Sequence, residues 1–126
     1  MIRILYPQLS YEVTGLCFKI QNKMGRFCSE RQYADALELE LKQKQIPYKR
    51  EFDLDNSEIK GNRVDFLIDK KMIVDLKAKK FITKEDYVQM QRYLQCSNIE
   101  LGLIVNFRST YLKPKRVLNT KIHSEH

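Results

Sequence analysis

Apolar residues recur with helical spacing in two segments near the start of the chain. Residues 10–23 and residues 29–45 each repeat an apolar position every three or four residues, so each is predicted to form an amphipathic helix. Pro7 and Gly25 bracket the first helix, and Pro47 follows the end of the second. The apolar positions are Val13, Leu16, Cys17, Ile20 and Met24 in the first helix and Tyr33, Ala36, Leu37 and Leu41 in the second.

The middle of the chain has the pattern of short strands. Residues 48–54 alternate loosely between apolar and polar positions. Residues 61–78, GNRVDFLIDKKMIVDLKA, form two short apolar runs around the polar turn Asp69-Lys70-Lys71. These runs predict a hairpin centred on Lys70.

A third helix and a last strand complete the pattern. Thr83 and Asp86 have the spacing of a capping box, so a helix is predicted over residues 84–95. The run LGLIVNF at 101–107 is nearly continuously apolar, as expected of a central strand buried on both faces. The predicted core-facing residues of the third helix are Tyr87, Met90 and Leu94.

The order α-α-β-β-β-α-β predicts a single α/β domain over residues 1–126, with a mixed sheet whose antiparallel pairs come from the hairpin. The third helix is a crossover that brings the last strand in parallel. The core is expected over about residues 10–107. Residues 108–126 are expected to be a basic tail, in which Pro114 argues against one long helix.

Three charges interrupt the apolar pattern of the hairpin: Asp65, Asp75 and Lys77. In a hairpin centred on Lys70, Asp65 lies across from Asp75, with Cβ atoms roughly 5 Å apart. Side chains two residues apart on a strand share a face, so Lys77 lies beside Asp75. Facing like charges cost stability, so this arrangement suggests a divalent metal beside a proton-handling group. The alternative is an amphipathic hairpin whose solvent face carries ordinary charges.

The predicted helices carry further polar side chains toward their buried stripes. Glu30 precedes Tyr33 by three residues, so it projects from the edge of the core-facing stripe of the second helix. It is either a metal ligand or a carboxylate that favours the positive N-terminus of its own helix. Gln89 and Tyr93, four residues apart, share one stripe of the third helix.

Composition narrows the classes of function. A net charge of +7 favours nucleic acid or another polyanion as partner. The three cysteines form no CxxC pair, which argues against a zinc finger or a disulfide framework. Because both histidines, His123 and His126, lie in the last segment, Ser–His and Cys–His hydrolases are excluded. With no membrane-length apolar run and no secretory signal, a cytoplasmic protein without a membrane partner is expected.

Taken together, the hairpin and the third helix resemble the PD-(D/E)xK nuclease-like superfamily. Asp65, followed after nine residues by Asp75-Leu76-Lys77, is similar to its bipartite motif. Gln89 with Tyr93 is similar to the QxxxY signature of its exonuclease-like branches.

Within the superfamily, the chain resembles the small prokaryotic GxxExxY or GxxExxR group over about residues 13–107. The segment MGRFCSERQYADAL at 24–37 is similar to the group's naming motif, with Glu30 and Tyr33 in place. Phe27 stands where the motif has its first glycine, which affects the turn before the helix more than the site. LGLIVNF is similar to the group's last core strand.

The resemblance implies a restriction-endonuclease-like core that binds Mg²⁺ or Mn²⁺, ions that prefer hard oxygen ligands. Lys77 would position or deprotonate the attacking water, or stabilise charge on the phosphate. Gln89 and Tyr93 would orient Lys77 or the substrate backbone. The implied metal ligands are Asp65, Asp75, the backbone carbonyl of Leu76 and, directly or through water, Glu30.

The leading hypothesis is therefore a metal-dependent nuclease that hydrolyses phosphodiester bonds of nucleic acid, with DNA favoured. Little intrinsic sequence specificity is expected, because no stretch resembles a base-reading helix. The alternative is a non-catalytic nucleic-acid-binding or protein-interaction module that retains the nuclease fold. A single small site cuts one strand, so a homodimer is compatible with cleavage of both.

Overall fold

The computed structural model describes residues 6–54 and 62–123. The connector expected between the first strand and the hairpin, residues 55–61, lies outside the described residues. The predicted α/β order is confirmed, and one more strand and a short helix follow it. The elements are α1 (Pro7–Met24), α2 (Glu30–Gln43), β1 (Tyr48–Asp53), β2 (Arg63–Ile68), β3 (Met72–Lys77), α3 (Lys84–Ser97), β4 (Leu101–Asn106), β5 (Lys115–Leu118) and α4 (Thr120–His123).

The five strands form one mixed sheet in the order β1-β2-β3-β4-β5. β3 and β4 are parallel and the other neighbouring pairs are antiparallel, which confirms the crossover through α3. Phe66 pairs with Val74 and Ile68 with Met72, so the hairpin is centred on Lys70 as predicted. All six residues of β4 are buried, as expected of a central strand.

Helices cover both faces of the sheet. The side chains of α1 and α2 pack with Val74 and Leu76 of β3 in the larger core cluster. Met90 and Leu94 of α3 pack with Ile73 of β3 in the smaller one. Because side chains alternate along a strand, Asp75 shares with Ile73 the face that α3 covers.

The short loop between α1 and α2, residues 25–29, is held by specific contacts. Gly25 has φ 83°, a left-handed value that favours glycine at a helix end. Ser29 caps α2: its hydroxyl accepts from the Gln32 N–H at 3.1 Å. The Tyr33 hydroxyl donates to the Gly25 carbonyl and accepts from the Cys28 N–H, while its ring stacks 4.1 Å from that of Phe107.

Two expectations need correction. The segment 108–126 is more than a basic tail, because β5 pairs with β4 and buries Val117. This strand escaped prediction since Val117 is the single buried residue among its four. The placement of Tyr87 in the core is also wrong: it is 37% exposed, and Tyr93, 5% exposed, packs there instead. Among the helices of the described ranges, none is both long and apolar enough to cross a membrane.

Candidate active site

β2 and β3 separate where two aspartates face each other. Their pairing ends at Phe66–Val74, although the same register extended by one residue places Asp65 opposite Asp75. Beyond this point β2 continues beside β1, and β3 continues beside β4. The Leu76 N–H donates to Asp65 Oδ2 at 2.7 Å instead of to a strand carbonyl. The sheet therefore opens as a fork, with one aspartate on each arm.

A distortion in β1 lies directly beside the fork. Glu51 has φ 50°, which is uncommon outside glycine, and the β1–β2 pairing skips Glu51 and Asp65 while keeping its register. Tyr48 packs in the α1–α2 cluster and Phe52 in the α3 cluster. Residues four apart on a regular strand would share one face. The β1–β2 ribbon therefore rotates at Glu51–Asp65, where its pairing with β3 also ends.

The two aspartates influence each other strongly. Asp75 is buried, and it lies within hydrogen-bonding reach of Asp65. Burial, followed by the hydrogen bond and the charge of Asp75, raises the pKa of Asp65 to about 7. The hydrogen bond from Leu76 acts in the opposite direction, but it does not prevail. Asp65 thus keeps its proton well above the pH at which an ordinary aspartate ionises.

Lys77 is held by groups on β3 and α3. Its Nζ lies 3.0 Å from Asp75 Oδ2, 3.7 Å from Asp86 Oδ1, and donates to Gln89 Oε1 at 3.2 Å. Burial alone would lower the pKa of Lys77, but the nearby carboxylates, Asp75 foremost, prevail and raise it above its usual value. The ammonium group of Lys77 is therefore held in place beside Asp75 and Asp86.

Asp86 is a site residue that the sequence reading assigned only to helix capping. The capping box is confirmed: the Asp86 carboxylate accepts from the backbone N–H and the hydroxyl of Thr83 at 2.7 and 3.2 Å. The same carboxylate also lies 2.6 Å from Lys79 Nζ. Burial would raise the pKa of Asp86, but the bonds from Lys79 and Thr83 outweigh it, so the pKa is lowered. Its spacing three residues before Gln89 was the available signal.

Asn106 holds the loop that follows Lys77. Its side chain accepts from the Lys79 N–H at 3.1 Å and donates to the Lys79 carbonyl at 2.7 Å. In the parallel register Asn106 is itself the partner of Lys77. Asn106 lies near the C-terminal end of the run LGLIVNF, where functional residues gather in α/β sheets, but no spacing in the sequence predicts its contact with Lys79.

Glu30 and Tyr93 lie at the margins of this arrangement. Glu30 is exposed in the first turn of α2 and shares with Asp65, Arg50 and Glu51 the lining of a cleft of about 520 Å³. Its charge reaches the site, since it contributes to raising the pKa of both Asp65 and Lys77. Tyr93 is buried, and burial followed by the charge of Asp75 raises its pKa.

The donor set fits a small divalent cation that keeps most of its waters. Mg²⁺ is commonly bound through one or two carboxylates, and Asp65 with Asp75 supplies two at one point of the fork. Within residues 6–54 and 62–123, no group of three or more His, Cys, Asp or Glu side chains is close enough to hold a metal ion. The structure thus brings Asp65, Asp75, Lys77 and Gln89 together and leaves Glu30 across the cleft.

We expect Asp86→Ala to lower the free energy of unfolding by about 2–3 kcal/mol, because it removes the bond to the Thr83 N–H and a counter-charge of two lysines. Urea denaturation followed by circular dichroism measures this loss. Glu85→Ala is the matched control: it lies in the same helical turn but is exposed, so its loss should stay below about 1 kcal/mol. Equal losses for the two variants would contradict the role given to Asp86.

Comparison with known proteins bears on what this site does. A family model described as the PD-(D/E)XK nuclease superfamily matches residues 7–117, which is most of the chain and includes every residue of the fork. No curated protein and no solved structure matches the chain significantly.

Proposed function

The chain belongs to the PD-(D/E)XK nuclease superfamily, and on that premise we propose that it is a metal-dependent nuclease that hydrolyses phosphodiester bonds at the fork between β2 and β3. The observation that carries the proposal is the meeting of Asp65 and Asp75 where the strands separate, with Lys77 Nζ 3.0 Å from Asp75. A surface hairpin with ordinary charges would not place a buried aspartate, Asp75, opposite the half-buried Asp65, whose pKa is raised.

The metal we propose is Mg²⁺ or Mn²⁺, held by the carboxylates of Asp65 and Asp75. The carbonyl of Leu76 is a further candidate ligand, since the N–H of the same residue already bonds Asp65. Glu30 would reach the ion through water across the cleft it shares with Asp65. When bound, the ion would supply positive charge that polarises the phosphodiester and makes water more acidic.

The residues around the fork have separate roles in this proposal. Lys77 presents its ammonium group to a phosphate oxygen and stabilises the negative charge that develops there. Gln89 and Asp86 hold that group in place from α3. Tyr93 closes the core side of the site, next to Asp75.

The substrate class we favour is DNA, with little sequence specificity. The net charge of +7 supports sequence-independent contacts to phosphates. We also propose that the chain belongs to the GxxExxY or GxxExxR group, because Glu30 lies at the cleft and Tyr33 fixes the loop that precedes it. Phe27 remains the departure from that group's pattern.

The test is an assay of linear, nicked and single-stranded DNA and of RNA, each with Mg²⁺, with Mn²⁺ and with chelator. We expect cleavage by the wild type with a divalent ion, none in chelator, and none by Asp75→Ala purified in parallel. Mn²⁺ binding, followed by electron paramagnetic resonance, should be lost in the same variant. Equal cleavage by both proteins, or cleavage of no substrate by either, would overturn the catalytic proposal.

A non-catalytic binding module, the alternative function, predicts a different outcome. Nucleic-acid binding would then be salt-sensitive, would need no divalent ion and would survive Lys77→Met. An interaction module for proteins would show no salt-dependent binding to nucleic acid. The same protein preparations distinguish these two cases by a filter-binding measurement in chelator.

A further inference from the structure

The loop between α1 and α2 is fixed to the edge of the sheet at which Lys77 lies. Gln21, near the end of α1, donates through Nε2 to the carbonyls of Phe107 and Ser109, both at 2.9 Å. The Phe107 N–H in turn donates to the Lys77 carbonyl at 2.9 Å. Since β3 and β4 are parallel, the segments that follow them leave the sheet at one edge. Loop 25–29 therefore borders the end of β3.

At this edge the guanidinium groups of two arginines lie near the exposed ring of one phenylalanine, and we call Arg26, Phe27 and Arg108 the Phe27 clamp. Arg26 Nε donates to the Arg108 carbonyl at 2.9 Å, and Arg108 Nε donates to the Arg26 carbonyl at 3.0 Å. Their guanidinium carbons lie 5.1 and 5.3 Å from the centroid of the Phe27 ring. This reciprocal pair joins segments 82 residues apart and holds all three side chains on a fixed backbone.

Phe27 contributes almost nothing to the core. It is 76% exposed, even with the two guanidinium groups beside it. Each arginine uses Nε for its bond to a backbone carbonyl, and a guanidinium carries further donors on its Nη atoms. The clamp therefore offers a solvent-facing aromatic ring together with two positive charges.

The chemistry that fits this combination is an unpaired nucleotide. Nucleobases stack on aromatic rings and on guanidinium planes, and arginine binds phosphate oxygens with paired donors. Inside a duplex both faces of each base are already stacked and only the two terminal pairs offer a free face, whereas every base of a single strand can offer one. The net charge of +7 favours such a polyanion over an acidic protein surface of low charge density.

Two neighbouring loops have a similar character. The loop after β3 carries the exposed Phe81 beside Lys79 and Lys80, and the loop after β4 carries the exposed Tyr111 before Lys113. Aromatic rings interleaved with basic residues are the pattern of proteins that bind single strands. Because the loops after β3 and β4 leave the sheet at the edge that loop 25–29 borders, one nucleic-acid strand can follow all three past Lys77.

Resting on the proposed nuclease function, we propose that the Phe27 clamp binds an unpaired nucleobase and its phosphates, which makes single-stranded or frayed nucleic acid the substrate class. The clamp holds the strand beside the fork. Loss of the ring should therefore weaken binding of single strands selectively, whereas loss of an arginine charge should weaken binding of single and double strands alike.

The experiment measures fluorescence anisotropy of a labelled oligonucleotide of about 12 nucleotides, single-stranded or in a blunt duplex, in chelator so that neither metal nor cleavage contributes. Phe27→Ala should weaken single-strand binding roughly 5- to 150-fold, which corresponds to the loss of one stacked base, and change duplex binding less than about twofold. Phe27→Trp should retain the affinity. Tyr11→Ala is the matched control, because Tyr11 is 75% exposed on α1 and has no guanidinium over its ring among the described contacts.

Equal effects of Phe27→Ala and Tyr11→Ala, or equal weakening of single-strand and duplex binding, would overturn the clamp. So would wild-type protein that binds the duplex as tightly as the single strand. Failure of the nuclease proposal looks different, because the protein would then lack cleavage while Phe27→Ala still lost single-strand binding. If the protein cleaves nucleic acid but Phe27→Ala leaves single-strand binding unchanged, the clamp proposal is wrong and the proposed nuclease function stands.

Discussion

Replacing Lys77 with methionine is expected to slow phosphodiester hydrolysis by about 10²–10³-fold, the usual cost of removing one preorganised group that stabilises transition-state charge. Methionine keeps most of the length and apolar volume of the lysine stem but brings no charge. The raised pKa of Lys77 means that its ammonium form, the one lost here, is the form the site holds near neutral pH. The rate is measured as single-turnover cleavage at saturating divalent ion.

Lys79→Met is the control for this change. Lys79 pairs with the same Asp86 at 2.6 Å, but its Nζ has no contact with Asp75 among the described ion pairs. Its side chain is also more exposed than that of Lys77, at 39% against 17%. We expect it to lower affinity for nucleic acid by a few-fold and to leave the single-turnover rate within about fivefold of wild type. Equal rate losses would assign the effect to surface charge rather than to the fork.

The part of the site that could be predicted from the sequence depends on residues that lie close together along the chain. The turn at Lys70 set the register of the hairpin, and that register set Asp65 opposite Asp75. Helical spacing likewise placed Gln89 and Tyr93 on one stripe of the third helix, and in the structure Gln89 accepts a hydrogen bond from Lys77 Nζ. These placements depend on the repeat of side-chain directions in strands and helices, which the pattern of apolar residues shows directly.

The fork and the clamp depend on contacts that no period encodes. The backbone at Glu51 is left-handed, and the sequence does not predict this because the residue is neither glycine nor asparagine. The contact of Arg26 with Arg108 joins loops that only the complete sheet brings together. Tyr87 and Tyr93 are both three residues from Met90, and only Tyr93 packs in the core cluster that α3 forms with the sheet. Tertiary geometry decided each of these.

Asp65→Asn is expected to stabilise the metal-free protein, and increasingly so as the pH rises. The pKa of Asp65 is raised from 3.8 to about 7 in the folded state, so between these values the native protein holds a proton that the unfolded chain releases. The free energy of unfolding of the wild type therefore falls as the pH rises through this window. An amide does not titrate and can still accept a bond from the Leu76 N–H.

The size of the effect follows from about 1.4 kcal/mol per pKa unit, which gives an upper limit near 4 kcal/mol for the full shift. Water in the open fork reduces it, so we expect the advantage of Asp65→Asn to grow by about 2 kcal/mol between about pH 5 and about pH 8.5. Urea denaturation in chelator measures it. Asp53→Asn, at an exposed aspartate paired with Arg63 on β1 and β2, should show a difference that stays constant with pH.

Divalent ion should narrow this difference, because the repulsion that destabilises the empty pair of carboxylates is what a cation relieves. A divalent-ion concentration of ten times Kd should raise the free energy of unfolding of the wild type by about 1.4 kcal/mol. The free energy of unfolding of Asp65→Asn should hardly change. If the advantage of Asp65→Asn over the wild type were no larger at high pH than at low pH, burial and the facing Asp75 would not raise the pKa of Asp65 in the folded protein. If it gained as much from Mg²⁺ as the wild type, Asp65 would not be a ligand.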